Sequence, residues 1–130
     1  MAGMAPVRVV LQSSATHQVT EADTADVLGS GDLPVLGTPR LLAWAEAATC
    51  AAIEPELSEG ATSVGSRIEL RHLTPSPVGE LVTVTATVQH VDGKLVRFDV
   101  VAAHGDERIV ASGTITRVVV DSVRFMRRLG

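Results

Sequence analysis

Cysteine occurs once, at Cys50. No disulfide can form within the chain, which excludes the stapled framework of small secreted domains and favours a reducing compartment. Tyrosine is absent, and one tryptophan and two phenylalanines make up only 2% of the residues. The core must therefore be built from Val, Leu, Ile and Ala, a β-branched mixture that points toward sheet. Basic residues are few: 11 Lys and Arg stand against 15 Asp and Glu, for a formal net charge of −4. That balance excludes a broad positive field for nucleic acid or an anionic membrane surface. The one basic concentration, Arg124, Arg127 and Arg128, reads as a solvated tail. No apolar run approaches the roughly 20 residues of a membrane span. The opening MAGMAP lacks the charged and apolar regions of a signal peptide. The expectation is a cytoplasmic protein. CxxC, HExxH, P-loop and GxSxG motifs are all missing, and Gly29-Ser30-Gly31 is too short to cradle a phosphate. The histidines, His17, His72, His90 and His104, are scattered without metal-ligand spacing. No metal and no tightly bound redox cofactor is expected.

What is present fits one domain over residues 1–130, with residues 1–5 expected to be disordered. A strand-like stretch, VRVVLQSSATHQVT, covers residues 7–20. Residues 21–37 mix a helical turn with Gly29, Gly31 and Pro34 and read as a loop-rich lid. Residues 38–53, TPRLLAWAEAATCAAI, then read as a helix. Thr38 is the expected N-cap and Pro39 the first helical residue. Between Arg40 and Glu54 the only charge is Glu46. A helix so nearly apolar all round is expected to be buried.

The remainder is β. In VGSRIELRHL, simple alternation puts Val64, Ser66, Ile68, Leu70 and His72 on the inward face and Gly65 on the other. LVTVTATVQHV alternates strictly, Asp92-Gly93 signals a hairpin, and LVRFDVVAAH and RIVASGTITRVVVD follow. The expected pattern is one strand, a helix, and four strands in an antiparallel meander. It is an α+β arrangement of about five strands wrapped around one central helix. Such a sheet leaves an exposed edge, for which a homodimer, or a tetramer built from it, is the expected remedy.

Glu46 draws attention because a carboxylate inside an apolar helix is costly without a partner. It is a candidate general base or nucleophile; the competing reading is a side chain that reaches solvent at the helix edge. His72 sits on the expected inward face, where it can meet a buried acid or simply bond to backbone as a core histidine. Thr38 is a candidate site hydroxyl or an ordinary cap. At about 1.5 Å per residue it stands roughly 12 Å along the helix from Glu46.

At these positions the sequence resembles the fluoroacetyl-CoA thioesterase family, a branch of the hot-dog-fold thioesterases. The resemblance rests on Thr38 and Glu46 in TPRLLAWAEAA, on Gly65 and His72 in SVGSRIELRH, and on the LVTVTATV and SGTITR segments, with Arg117 at a matching arginine. It runs from about residue 35 to the end. It implies a hot-dog fold and metal-free hydrolysis of a small or medium acyl-CoA by a homodimer. It also implies catalytic roles for Thr38, Glu46 and His72 and substrate-binding roles for Gly65 and Arg117. Glu46 would attack the acyl carbonyl or activate water, and His72 would assist proton transfer and stabilise the thiolate or oxyanion. The family's lid carries a phenylalanine, whereas TADVLGSGDLPVLG has no aromatic residue. Arg40, Arg67, Arg71 and Arg97 are unassigned candidates for the phosphates of CoA. Two other readings share the fold: a non-catalytic acyl-CoA-binding or regulatory module, and an acyl-thioester hydratase or dehydratase.

Overall fold

The computed structural model describes residues 11–130. The disorder expected at residues 1–5, and the start of the first strand at 7–10, lie outside the described residues. Strand β1 (Gln12–Gln18) leads through a 3-10 turn at Glu21–Asp23 and a short helix, α1 (Ala25–Leu28), to the long helix α2 (Thr38–Ile53). Four strands follow: β2 (Ala61–His72), β3 (Leu81–Asp92), β4 (Leu95–His104) and β5 (Ile109–Asp121). A last short helix, α3 (Ser122–Arg127), closes the chain. It is capped by Asp121, whose Oδ1 accepts from the Arg124 amide at 2.9 Å. Its arginines are exposed, as expected, though the tail is helical. Among the described residues no helix is long and apolar enough to cross a membrane.

All five strands form one antiparallel sheet in the order β1-β3-β4-β5-β2. The expected four-strand meander holds only for β3, β4 and β5. Strand β2 pairs with β5 rather than with β3, so residues 73–80 form a crossover and β2 becomes an outer edge. A proline-rich turn signal marks where a strand ends but not which neighbour the next strand takes. The β3–β4 hairpin does form at the expected place: Asp92 faces Leu95, and Gly93 adopts φ 60°, which favours glycine.

The inner faces of β3 and β4 bury Val82, Val84 and Ala86 against Val96, Phe98, Val100 and Ala102, as the alternation requires. Onto this face α2 lays Leu41, Ala45, Ala48, Thr49, Ala52 and Ile53, a stripe at helical spacing. The expectation of burial all round is corrected. Ala43, Ala47, Cys50 and Ala51 face outward and are exposed, because the sheet covers only one side of the helix. On the β1 side, His17 stacks on Trp44 with ring centroids 4.4 Å apart and planes within 4°.

Residues 21–37 are tied down at several points. Ala25 N donates to Val35 O at 2.8 Å, Gly37 N to Asp23 O at 2.9 Å, and Leu36 N to Ser76 O at 2.8 Å. Arg40 Nε lies 3.0 Å from Asp23 Oδ1, anchoring the start of α2 to the same segment.

Candidate active site

The helix begins one residue earlier than its sequence suggests. Gly37 takes the cap position and Thr38 the first helical one. Thr38 therefore makes no capping bond, and its hydroxyl turns to the sheet instead: Oγ1 lies 2.8 Å from His72 Nδ1, at the end of β2. The other imidazole nitrogen, Nε2, is buried without a hydrogen-bond partner among the described residues. If the Thr38 hydroxyl donates to Nδ1, the ring proton of neutral His72 resides on Nε2, leaving one N–H free for a further acceptor. Burial pushes the His72 imidazole below its ordinary value of 6.5, with the Thr74 backbone opposing the shift more weakly. The neutral ring is thus the favoured form near neutral pH. Beside this pair lies a cleft of about 210 Å³ lined by Val35, Leu36, His72, Leu73, Thr74 and Pro75.

Glu46 occupies a second cluster. Arg117 Nη1 donates to Glu46 Oε2 at 3.1 Å, while Arg117 Nε donates to Ser63 Oγ at 2.8 Å and Nη2 to Ser63 O at 3.0 Å. The arginine side chain is 8% exposed and that of Glu46 36%. A nearly buried guanidinium thus holds one oxygen of a carboxylate that is partly open to solvent. Gly65 makes the approach possible, since a Cβ there would lie 2.8 Å from Glu46 Oε2. This places Gly65 on the helix side, together with His72. The sequence alternation assigned it to the opposite face, and a bulge between Gly65 and Arg67 explains the difference. The extra residue shifts the pleat by one, so residues on either side of it change faces.

The structure brings Thr38 to His72, and Glu46 to Arg117 and Gly65. It does not join the two clusters within one chain. Gly65 and His72 are seven positions apart on β2, roughly 20 Å at strand rise. The buried acid–imidazole contact expected from the sequence is absent among the described residues; the imidazole meets a hydroxyl and the acid meets a guanidinium. Ser63 escaped notice because a serine in a strand carries no signal without its cross-strand neighbour. The cleft at His72 is also smaller than the roughly 300–1,000 Å³ usual for a ligand site. Among the described residues, no group of three or more His, Cys, Asp or Glu side chains is arranged to hold a metal ion.

Comparison with known proteins gives a consistent picture. Residues 19–123 match the sequence profile of the fluoroacetyl-CoA-specific thioesterases. A fluoroacetyl-CoA thioesterase from Streptantibioticus cattleyicolor is 34% identical over 91 residues, which span 70% of this chain and 65% of that protein. The alignment thus covers slightly less than two thirds of that relative's length. The crystal structure of a variant fluoroacetyl-CoA-specific thioesterase in complex with fluoroacetate and CoA superposes with a TM-score of 0.83 at 28% identity, covering 92% of this chain and 99% of that one. A hot-dog-like protein from Thermanaerovibrio acidaminovorans superposes with a TM-score of 0.84 at 30% identity, covering 93% and 89%.

Proposed function

Because this chain belongs to the fluoroacetyl-CoA-specific thioesterase family, we propose that it hydrolyses a small or medium acyl-CoA to the free acid and CoA. The observation that carries the reading is the 2.8 Å contact between Thr38 and His72, set beside a cleft, with the imidazole's second nitrogen left unpartnered. In this reading the thioester lies against His72, whose Nε2–H donates to the oxyanion that develops on the acyl carbonyl and then to the departing thiolate. Thr38 holds the ring in that tautomer. Glu46 supplies the base: Arg117 retains Oε2, Oε1 takes a proton from the attacking water, and as the C–S bond breaks that proton passes to the thiolate, which leaves as the CoA thiol. Arg117 thereby acts on Glu46 first, and its contact with substrate, like that of Gly65, is at most through the same narrow space. Residues 21–37 cover the cleft as a lid, and their lack of aromatic residues leaves room for acyl groups other than fluoroacetyl.

The acid and the imidazole must meet for this chemistry, and a homodimer supplies the meeting. Strand β2 is a long free edge, and Ala43, Ala47 and Cys50 form an exposed small-residue stripe on α2 next to Glu46. Two copies pairing β2 antiparallel about a two-fold axis near Ile68 and Glu69 would set His72 opposite the partner's Gly65, and so beside the partner's Glu46. A cytoplasmic location is supported by the unpaired Cys50.

Release of thiol from a panel of short, branched, aromatic and long acyl-CoAs tests the activity. Thermal stabilisation by CoA esters without thiol release would instead identify a binding module, and absorbance change with an enoyl-CoA would identify a hydratase. Mixing Glu46→Ala chains with His72→Ala chains tests the shared site. Random exchange should restore about a quarter of wild-type activity, because half the dimers then hold one intact site out of two. No recovery after exchange would place both residues in one chain's site.

A further inference from the structure

The crossover between β2 and β3 carries a buried polar tie that the proposed chemistry does not use. Ser76 is wholly buried, and its Oγ lies 2.7 Å from His104 Nε2. His104, itself 8% exposed, lies with Nδ1 3.4 Å from Glu80 Oε1. Serine, imidazole and carboxylate follow one another as they do in nucleophilic hydrolases. Here, however, the whole of Ser76 is without solvent exposure and, unlike His72, it lines no part of the neighbouring cleft, so substrate does not reach its hydroxyl. A hydroxyl and an imidazole taken out of water are costly unless each is hydrogen-bonded, so this contact fixes the loop on β4 with little freedom.

What hangs from Ser76 gives the tie its meaning. The Ser76 carbonyl accepts from Leu36 N at 2.8 Å, and Val35 bridges to Pro77. Leu36 lies two residues before Thr38, and Ser76 four residues after His72. On the His72 side, Leu73 N and Thr74 N both donate to Val110 O, at 2.7 and 3.2 Å. One buried side chain on β4 therefore sets the loop that holds Leu36, and through it Thr38, while β5 holds the His72 end of the contact.

We infer that His104, acting through Ser76, is a positioning residue for the Thr38–His72 pair. The inference rests on assigning that pair to thioester hydrolysis. Ser76→Ala and His104→Gln should lower kcat for thiol release about 10- to 100-fold, as displacements near 1 Å do, with a much smaller change in KM. In a Thr38→Ala background, Ser76→Ala should add little further loss, because both changes act on one contact. The independent readout needs no substrate: the imidazole 15N resonances of His72 should shift in Ser76→Ala. Should His104→Gln not fold, Ser76→Ala and Glu80→Gln, at a half-exposed carboxylate, carry the same test. Unmoved His72 resonances, or losses that add to those of Thr38→Ala, would overturn the inference. So would a fall in Tm with kcat unchanged. If the wild-type chain released no thiol at all, the hydrolase reading would fail while the resonance measurement still decided the role of His104.

Discussion

A methyl group added at Gly65 would stand 2.8 Å from Glu46 Oε2 and 3.6 Å from Arg117 Nη1. Ordinary van der Waals contact begins at 3.4 Å, so Gly65→Ala must push the carboxylate about 0.6 Å away from β2, the difference between 3.4 and 2.8. The fold tolerates the move. Glu46 ends a flexible side chain with a 36% exposed surface, and alanine also restricts the unfolded chain, an effect worth about 0.4–1 kcal/mol in favour of the native state. Stability should therefore change by less than about 1 kcal/mol in urea unfolding. The chemistry tolerates it less well. The 3.1 Å bond to Arg117 lengthens or bends, and the base moves by a distance that matters, since a misplacement near 1 Å costs up to about 100-fold. We expect kcat to fall about tenfold or more. Thiol release measured beside urea unfolding on the same preparation separates the two effects. A Gly65→Ala protein with wild-type kcat would refute the claim that the close packing of Glu46 on β2 sets the reaction geometry.

Glu46→Gln keeps the shape and removes the base, so kcat should drop about 10²- to 10⁴-fold; it also leaves the nearly buried Arg117 without its carboxylate, which should cost about 1–3 kcal/mol in urea unfolding. Arg117→Met strands the Ser63 hydroxyl and carbonyl and frees Glu46. It should cost about 1–3 kcal/mol in urea unfolding as well as lowering kcat. Burial holds the His72 imidazole below 6.5. The native chain therefore binds fewer protons than the unfolded one as pH falls below that value. The stability tied to neutral His72 is complete above 6.5 and is lost as pH drops through the lowered native value. His72→Gln should flatten the acid fall of Tm below pH 6.5, and the acid limb of wild-type kcat/KM should also lie below 6.5. Cys50, exposed on the single chain, should react slowly with a thiol reagent at concentrations that favour the dimer and quickly on dilution; equal rates would argue against helix-to-helix contact in the dimer.

The elements were legible because their periods are strong. The alanine- and leucine-rich stretch gave the helix over 38–53, and the strict alternation of residues 82–88 gave the buried face of β3. Thr38, Glu46 and His72 stand out by type and place, and Gly65 through the family resemblance alone. Their partners were not legible. The bulge beyond Gly65 has no sequence signature, so alternation put that glycine on the wrong face. The crossover after His72 looks like any proline-rich turn, so the sheet order, and with it the exposed edge of β2, was hidden. Ser63 and Arg117 meet only because β2 and β5 pair in one register, and Ser76 meets His104 only because the crossover folds onto β4. Each depends on contacts between residues distant in sequence, which local propensity does not encode.

The sheet's other border carries a convenience of its own. Trp44, the sole tryptophan, lies face to face with His17 across α2 and β1. Peeling β1 away would unstack the rings, wet the indole face and move its emission to longer wavelength. Fluorescence of the unlabelled protein thus becomes a gauge of how firmly its first strand is seated, read on the edge remote from the one that carries the chemistry.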